Sequence, residues 1–542
     1  MCDEEFLEAL KEKEKIAEIS SKLGAYSGLW LSENTTEQKR NAHDSKISEV
    51  LTHLGNETIF FGLWFKEIED KKAEGIISKS GKYKYLLKRM RDFKENTLKE
   101  NEEKIINLKD MNGIDIVEKI YSMITNKFRF KWKGKEITLE EINQYKQSHN
   151  REERVQSYNI ILERYNKEGD ILGEIYRSLI NDWRTENIKL RNYKTPIEVR
   201  NKGNDIPEQA VNTLLNTTKK NAKLFQEYFK IKAKILGINE FDRYDIYTPY
   251  NETPETAKEY TYETSKKITL ETYKEFSEKA YSYAKKIFDD QHVHSEIIPN
   301  KRSGAFCSSP LNTISPFILL NHVNKLNDLY TMMHEIGHGI HTIAASEQTL
   351  FTFQAPLPLA ETASIFGEML LTQKMLKIGN TEEKKAVLIK MLDGQYASII
   401  RQVFFTDFEI KAHNLIEKGA TTEELDNTYL ENLKEQFGDI PVDPIFKHEW
   451  KYIPHIYYSP FYCYAYSFGN LLVLSLFKMY QELGSEFIEK YFKILSYGGS
   501  KAPAEILSEI GIDITTEEFW QKGFEIIKEE IEELKQIGGE EG

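Results

Sequence analysis

Cysteine is scarce in this chain. Its 542 residues hold three, Cys2, Cys307 and Cys463, too few for a disulfide framework and not spaced for a metal. That excludes a stapled extracellular scaffold and fits a reducing, cytoplasmic setting. Long apolar runs are missing as well. No stretch approaches 18 apolar residues, so no membrane-spanning helix is expected, and the most apolar run, Leu471 to Phe477, reads as buried helix. The first residues (Met-Cys-Asp-Glu-Glu-Phe) are acidic and offer no secretory signal. Excess positive charge is also absent: 73 Lys and Arg face 86 Asp and Glu, a net charge of -13. A nucleic-acid partner is disfavoured, because neutralising phosphates needs clustered cations. Proline is absent from residues 3 to 110, and no internal repeat or low-complexity linker is evident.

What the chain does have is helical periodicity. Glu, Lys, Leu and Ile recur at helical spacing over residues 3 to 110, with Phe60 to Lys72 and Tyr83 to Leu98 as examples. Further helices are expected over 139–191, 210–236, 361–377, 384–418, 422–437, 468–483, 484–495 and 516–537. Residues 128 to 139 alternate around a Lys-Gly-Lys turn and read as a hairpin. They suggest a division into an N-terminal helical domain, 1–135, and a larger helical domain, 136–542. Irregular stretches follow at 242–256 and 293–321. The second has short apolar runs bounded by Gly, Pro and Ser, which read as strands.

Immediately after those strands stands Met333-His334-Glu335-Ile336-Gly337-His338-Gly339-Ile340-His341. Four residues make slightly more than one helical turn, so His334 and His338 share a face. Two imidazoles so placed suit zinc, whose nitrogen ligands lie about 2 Å away and converge. Glu335 sits about 100° round the same turn. There it can take a proton from a water on the metal without becoming a ligand. Two histidines on an ordinary helix are the bland alternative, and a third ligand decides between them. In Ala355-Pro-Leu-Pro-Leu-Ala-Glu361-Thr-Ala-Ser-Ile-Phe-Gly-Glu368 the prolines stop just before a helical pattern. Glu361, in its first turn, is the expected third ligand. Glu368 lies two turns along the same face and is placed behind the ligands, orienting a histidine. His341 is a candidate for a similar supporting place. Glu347 is too close in sequence to sit on a separate helix and reads as a solvated loop carboxylate.

A peptide-hydrolysing site also needs donors for the oxyanion of the tetrahedral intermediate. The stretch His455-Ile-Tyr457-Tyr458-Ser-Pro-Phe461-Tyr462-Cys-Tyr464-Ala-Tyr466 supplies a histidine and several phenols. Most of its rings belong to a core, since a buried Tyr usually packs and finds one partner. His455 is the polar exception. The strands ahead of the motif would let a peptide add as a further strand.

Together, the H-E-I-G-H motif, Ala360 to Glu368, Lys301-Arg302-Ser-Gly-Ala-Phe, Tyr244-Asp-Ile-Tyr-Thr-Pro and Ile453 to Tyr466 resemble the oligoendopeptidase F family, relatives of thimet oligopeptidase and neurolysin. The likeness runs from about residue 60 to 530. It implies a mostly α, prolate, multi-helix peptidase with a deep central channel and a small sheet beside the zinc helix. It implies one Zn²⁺ per chain on His334, His338 and Glu361, and short unfolded peptides as substrates, with folded proteins excluded. His455 with Tyr457, Tyr458 or Tyr464 would correspond to the family's transition-state donors. The expected activity is a zinc-dependent endopeptidase with Glu335 as general base. A zinc carboxypeptidase on a similar scaffold, with Arg302 or Arg401 gripping the terminal carboxylate, is the alternative. A silent peptide binder fits poorly, because the ligand set is intact.

Overall fold

A computed structural model describes residues 2–250 and 259–539. Positions 251–256 of the irregular stretch at 242–256 therefore lie outside the described residues. The chain is mostly α-helical, as its periodicity predicts. Among the described residues the strands are short: β1 (Phe130–Trp132) and β2 (Lys135–Ile137), then β3 (Val293–His294), β4 (Phe306–Ser308) and β5 (Phe317–Leu319). β1 and β2 pair antiparallel around Lys133 and Gly134, both at positive φ, which is the predicted hairpin. The other three form a sheet in the order β3-β5-β4. β3 runs parallel to β5 and β4 antiparallel, which leaves β4 at an edge.

Two compact units emerge, each assembled from three separate stretches. The first comprises Met1–Glu95, Pro254–Ile378 and Leu476–Asp513; the second comprises Asn96–Thr253, Gly379–Ser475 and Ile514–Gly542. The division expected near residue 135 thus falls inside the second unit, and the β1–β2 hairpin is no boundary. The first 95 residues fold with the unit that carries the H-E-I-G-H motif.

In the first unit, helices Asp3–Glu33 and Gln38–Glu67 pack into a hairpin. Phe6 stacks on Phe61 and Phe65 at 4.6 and 4.9 Å in an apolar cluster that continues through Ile76 and Leu87. The helix expected over Phe60 to Lys72 is two helices, because Ile68 turns extended (ψ 156°) and a new helix starts at Asp70. The motif helix, Leu326–Ala344, begins where the Asp328 carboxylate accepts from the backbone N–H groups of Val323 and Lys325, both at 2.9 Å. Such a carboxylate satisfies orphan donors and complements the positive end of the helix. Leu329, Met333, Ile336 and Ile340 form its buried stripe. Its chief neighbour is helix Thr362–Ile378, whose Phe366 ring packs against Phe276, Phe477 and Tyr491.

In the second unit, Thr421 and Glu424 cap helix Thr422–Phe437 reciprocally, Glu424 accepting from the Thr421 N–H at 2.7 Å. Glu449 is buried and accepts from Arg243 (2.7 Å), Arg401 (3.1 Å) and Tyr429 (3.0 Å), which satisfies its charge inside the core. Glu530 is different. Its carboxyl is buried with Gln395 donating to it at 2.9 Å. Burial pushes its pKa up to about 8, despite that donation. An unfolded Glu titrates near about 4.3. The folded state therefore holds the proton more tightly. Glu530's contribution is fully present below about pH 4.3 and is lost as pH rises towards 8. Glu530→Gln keeps the shape and removes the titration. The unfolding free energy of the variant should gain on that of the wild type progressively from pH 5.5 to 8.5, by an amount on the order of a few kcal/mol. A constant offset across that range would contradict the assignment.

Candidate active site

The motif helix and helix Thr362–Ile378 meet at two glycines. A Cβ built on Gly337 would lie 2.6 Å from the Ala363 carbonyl oxygen and 2.6 Å from the Ser364 Cα. One built on Gly367 would lie 2.4 Å from the Tyr273 hydroxyl, which itself donates to the Met333 carbonyl at 3.1 Å. The backbones approach this closely only because Gly337 lacks a Cβ, while the bare Gly367 leaves room for the Tyr273 hydroxyl. The approach carries Glu361, one residue ahead of its helix, onto the face of the motif helix that bears His334 and His338.

There the three side chains converge. His334 Nε2 and His338 Nε2 each lie 3.3 Å from Glu361 Oε2, and 3.2 Å from one another. A tetrahedral ion with ligand bonds of about 2.0–2.1 Å requires ligand atoms separated by about 3.3 Å. The donor set therefore fits zinc in type and in spacing, and it leaves a fourth position open. Among the described residues this is the single group of three His, Cys, Asp or Glu side chains close enough to hold a metal. Glu347 does not belong to it.

The surroundings tune the donors. His334 Nδ1–H donates to Glu368 Oε1 at 2.6 Å, so its Nε2 lone pair faces the other two ligand atoms. The Ser364 hydroxyl donates to Glu361 Oε2 at 2.7 Å. Burial pushes the Glu361 carboxyl up, but His338, His334 and Ser364 outweigh it and hold the pKa down at about 2. Burial acts downward on His334, yet hydrogen bonding and charge from Glu368, with the charges of Glu361 and Glu335, raise it to about 9. A field that draws protons to an imidazole also draws a cation. Glu335 is buried, at 7% exposure, and burial raises its pKa against the opposing pull of His334 and His338. His341 is buried one turn beyond His338, and burial, then the charge on His338, lowers its pKa to about 3. A cavity of about 430 Å³ opens beside Glu335 and His338, with β4 residues in its wall.

The aromatic stretch belongs to the second unit. His455 is half-buried, and burial, then the charge of Arg401, lowers its pKa. Tyr457 and Tyr464 correct the expectation that they present hydroxyls to a substrate. Tyr457 is 1% exposed and stacks on Tyr121 at 3.9 Å; Tyr464 is fully buried and accepts from Asn204 at 2.9 Å. Both are core rings, as most tyrosines in so aromatic a run must be. Tyr458 is exposed and shares a 2.6 Å hydrogen bond with Ser122. Tyr466, which the sequence does not single out, is exposed and reaches His455 Nε2 at 3.5 Å. Gly337 and Ser364 escape the sequence reading too. The Glu361-x-x-Ser364 spacing at a helix start is the signal that could have flagged Ser364.

Comparison with known proteins bears on the same residues. The pattern of Peptidase family M3 matches residues 144–526 and so spans the motif, Glu361 and His455. Oligopeptidase PepF of Bacillus subtilis is 25% identical over 98% of this chain and 80% of its own length. An oligoendopeptidase F homologue of Lactococcus lactis is 26% identical over 97% and 89%. A solved Chlamydophila abortus structure superposes with a TM-score of 0.91 at 28% identity, covering 99% of this chain and 91% of its own. The structure of oligoendopeptidase F from Enterococcus faecium gives 0.73 at 22% identity, with 99% and 94% covered, and so shares the fold.

Proposed function

The chain belongs to peptidase family M3, and from that premise we propose that it is a zinc-dependent oligoendopeptidase, hydrolysing internal bonds of short unfolded peptides in a channel that excludes folded proteins. The convergence of His334, His338 and Glu361 at 3.2–3.3 Å carries the reading. These residues would hold one zinc ion per chain. When bound, zinc supplies a Lewis acid that polarises the scissile carbonyl and lowers the pKa of water. Glu335 takes the proton of the attacking water and passes it to the leaving amine. Glu368 fixes the tautomer of His334 through Nδ1. The unpaired edge of β4, which packs against the motif helix, offers backbone groups to an extended substrate. The family resemblance makes His455 the expected oxyanion donor, and the Tyr466 hydroxyl lies 3.5 Å from its Nε2. The reading also takes the setting to be cytoplasmic; among the described residues no helix is long and apolar enough to cross a membrane.

An internally quenched peptide library, with cut sites mapped by mass spectrometry, tests it. Expected are internal cuts in short peptides, abolished by a chelator and restored by zinc, with C-terminally amidated peptides cleaved as well and folded proteins left intact. Removal of single C-terminal residues, blocked by amidation, would instead establish the carboxypeptidase. Absence of chelator-sensitive cleavage would refute the proposal.

A further inference from the structure

The cavity beside Glu335 and His338 has two walls of different character. One is β4 with the end of the motif helix. There Ser309 Oγ and Thr342 Oγ1 share a 2.7 Å hydrogen bond, so each hydroxyl is satisfied, and the Cys307 thiol lies beside them. The other is the segment carrying Phe353 and Gln354, with Phe353 only 3% exposed. Glu335 is the one acidic group in the described lining, and no Lys or Arg contributes to it. Away from the end formed by Glu335 and the two imidazoles, the lining is apolar (Ala305, Phe306, Phe353, Ala355 and Ala360), with hydroxyls and an amide that already have partners.

The second wall is fixed by backbone. Gly499 N–H donates to the Thr352 carbonyl at 2.8 Å, and the Gln354 amide donates to the Ser309 carbonyl at 3.1 Å. Gln348 donates to the Ser496 carbonyl at 2.9 Å, while Asn312 donates to the Gln348 carbonyl at 2.7 Å. The turn at Gly498 and Gly499 permits this approach. Gly498 has φ +49°, and a Cβ there would stand 2.2 Å from the Phe353 carbonyl oxygen; one on Gly499 would stand 2.4 Å from that of Gln354. A ring carried on so constrained a backbone discriminates by size, whereas a ring on a mobile loop would yield.

We propose that this cavity receives the uncharged, apolar side chain of a residue flanking the scissile bond, and that Phe353, positioned by the Gly498–Gly499 turn, sets the size it accepts. The inference rests on the peptidase reading. Its location follows from the fact that the general base and a metal ligand form one end of the cavity.

Quenched peptides differing at one residue beside the cut (Ala, Leu, Phe, Trp, Lys, Glu) test it. Wild-type enzyme should prefer Leu or Phe over Ala by about tenfold or more in kcat/KM, because one methylene in a fitted pocket is worth about 10-fold upwards. Lys and Glu should be poorer than Ala. Phe353→Ala should shift the Trp/Leu ratio about tenfold towards Trp, and Phe353→Trp should shift it the other way. Gly499→Ala should move the same ratio through KM rather than kcat. Zinc content and circular dichroism establish that each variant is folded, and Phe353→Leu, a milder change, guards against collapse of the alanine variant. If folded, zinc-loaded Phe353 variants leave all ratios within twofold of wild type, the inference is overturned while the peptidase reading stands. If the wild type shows no zinc-dependent cleavage of any peptide, the peptidase reading itself falls.

Discussion

Replacing Glu335 by Gln is expected to leave zinc bound and to lower kcat by about 10²–10⁴-fold, the range over which a positioned general base contributes. The side chain is buried and lies outside the group that converges on the metal position. Gln has the same length and nearly the same volume, so it fills the space without opening a cavity. It also removes a charge whose burial raises the pKa of the native acid. Stability should therefore not fall, and a thermal midpoint at or above that of wild type is part of the expectation. What Gln cannot do is accept the proton of water and release it to an amine. Zinc content by atomic absorption, peptide binding and single-turnover rates separate these effects. A zinc-loaded variant turning over within tenfold of wild type would remove Glu335 from the mechanism. A variant without zinc would make Glu335 a ligand or a ligand's support.

The residues around this acid were legible in the sequence to the extent that their positions follow from local geometry. H-E-x-x-H fixes two nitrogens because a helix turn fixes them. Glu361 stood out because prolines end the preceding segment and a helical pattern follows at once. The strands before the motif were visible through their Gly, Pro and Ser boundaries, and they form the sheet that flanks it. What depends on long-range packing was not legible. Tyr457 and Tyr464 look like Tyr458 and Tyr466 in the sequence, but the short helix His455–Tyr458 and the start of helix Tyr464–Leu483 bury the first two and expose the others. The two units escaped notice because each is built from three stretches, and no Pro-rich or Gly-rich linker marks the crossings. Gly337 was hidden for a related reason. It occupies an unspecified place in the motif, and its neighbour lies on another helix.

That neighbour makes Gly337→Ala the sharper test of how the site is built. By helix propensity alone, Ala in place of an interior Gly stabilises by roughly 0.5–1 kcal/mol. The structure predicts the reverse. The new Cβ would lie 2.6 Å from both the Ala363 carbonyl oxygen and the Ser364 Cα. These are backbone atoms and cannot swing aside as a flexible side chain would. The helices would have to part by roughly an ångström to restore ordinary contact at about 3.5–4 Å. Glu361 moves with Ala363 and Ser364, while His334 and His338 stay with the motif helix. An opening of that size breaks the 3.3 Å separations that match a tetrahedral ion. Zinc affinity should fall by about 100-fold or more, beyond the roughly 10–100-fold attributed to loss of a supporting partner. Glu361→Gln, which removes the donor's charge but leaves the helices in place, is the comparison. Both variants should lose zinc at equal chelator concentration, and in Gly337→Ala the loss should come with a lower thermal midpoint of the apo protein that does not depend on the Glu361 charge, persisting at a pH low enough to protonate that carboxyl. If Gly337→Ala held zinc as tightly as wild type, the close approach of the two helices would not be what closes the ligand set.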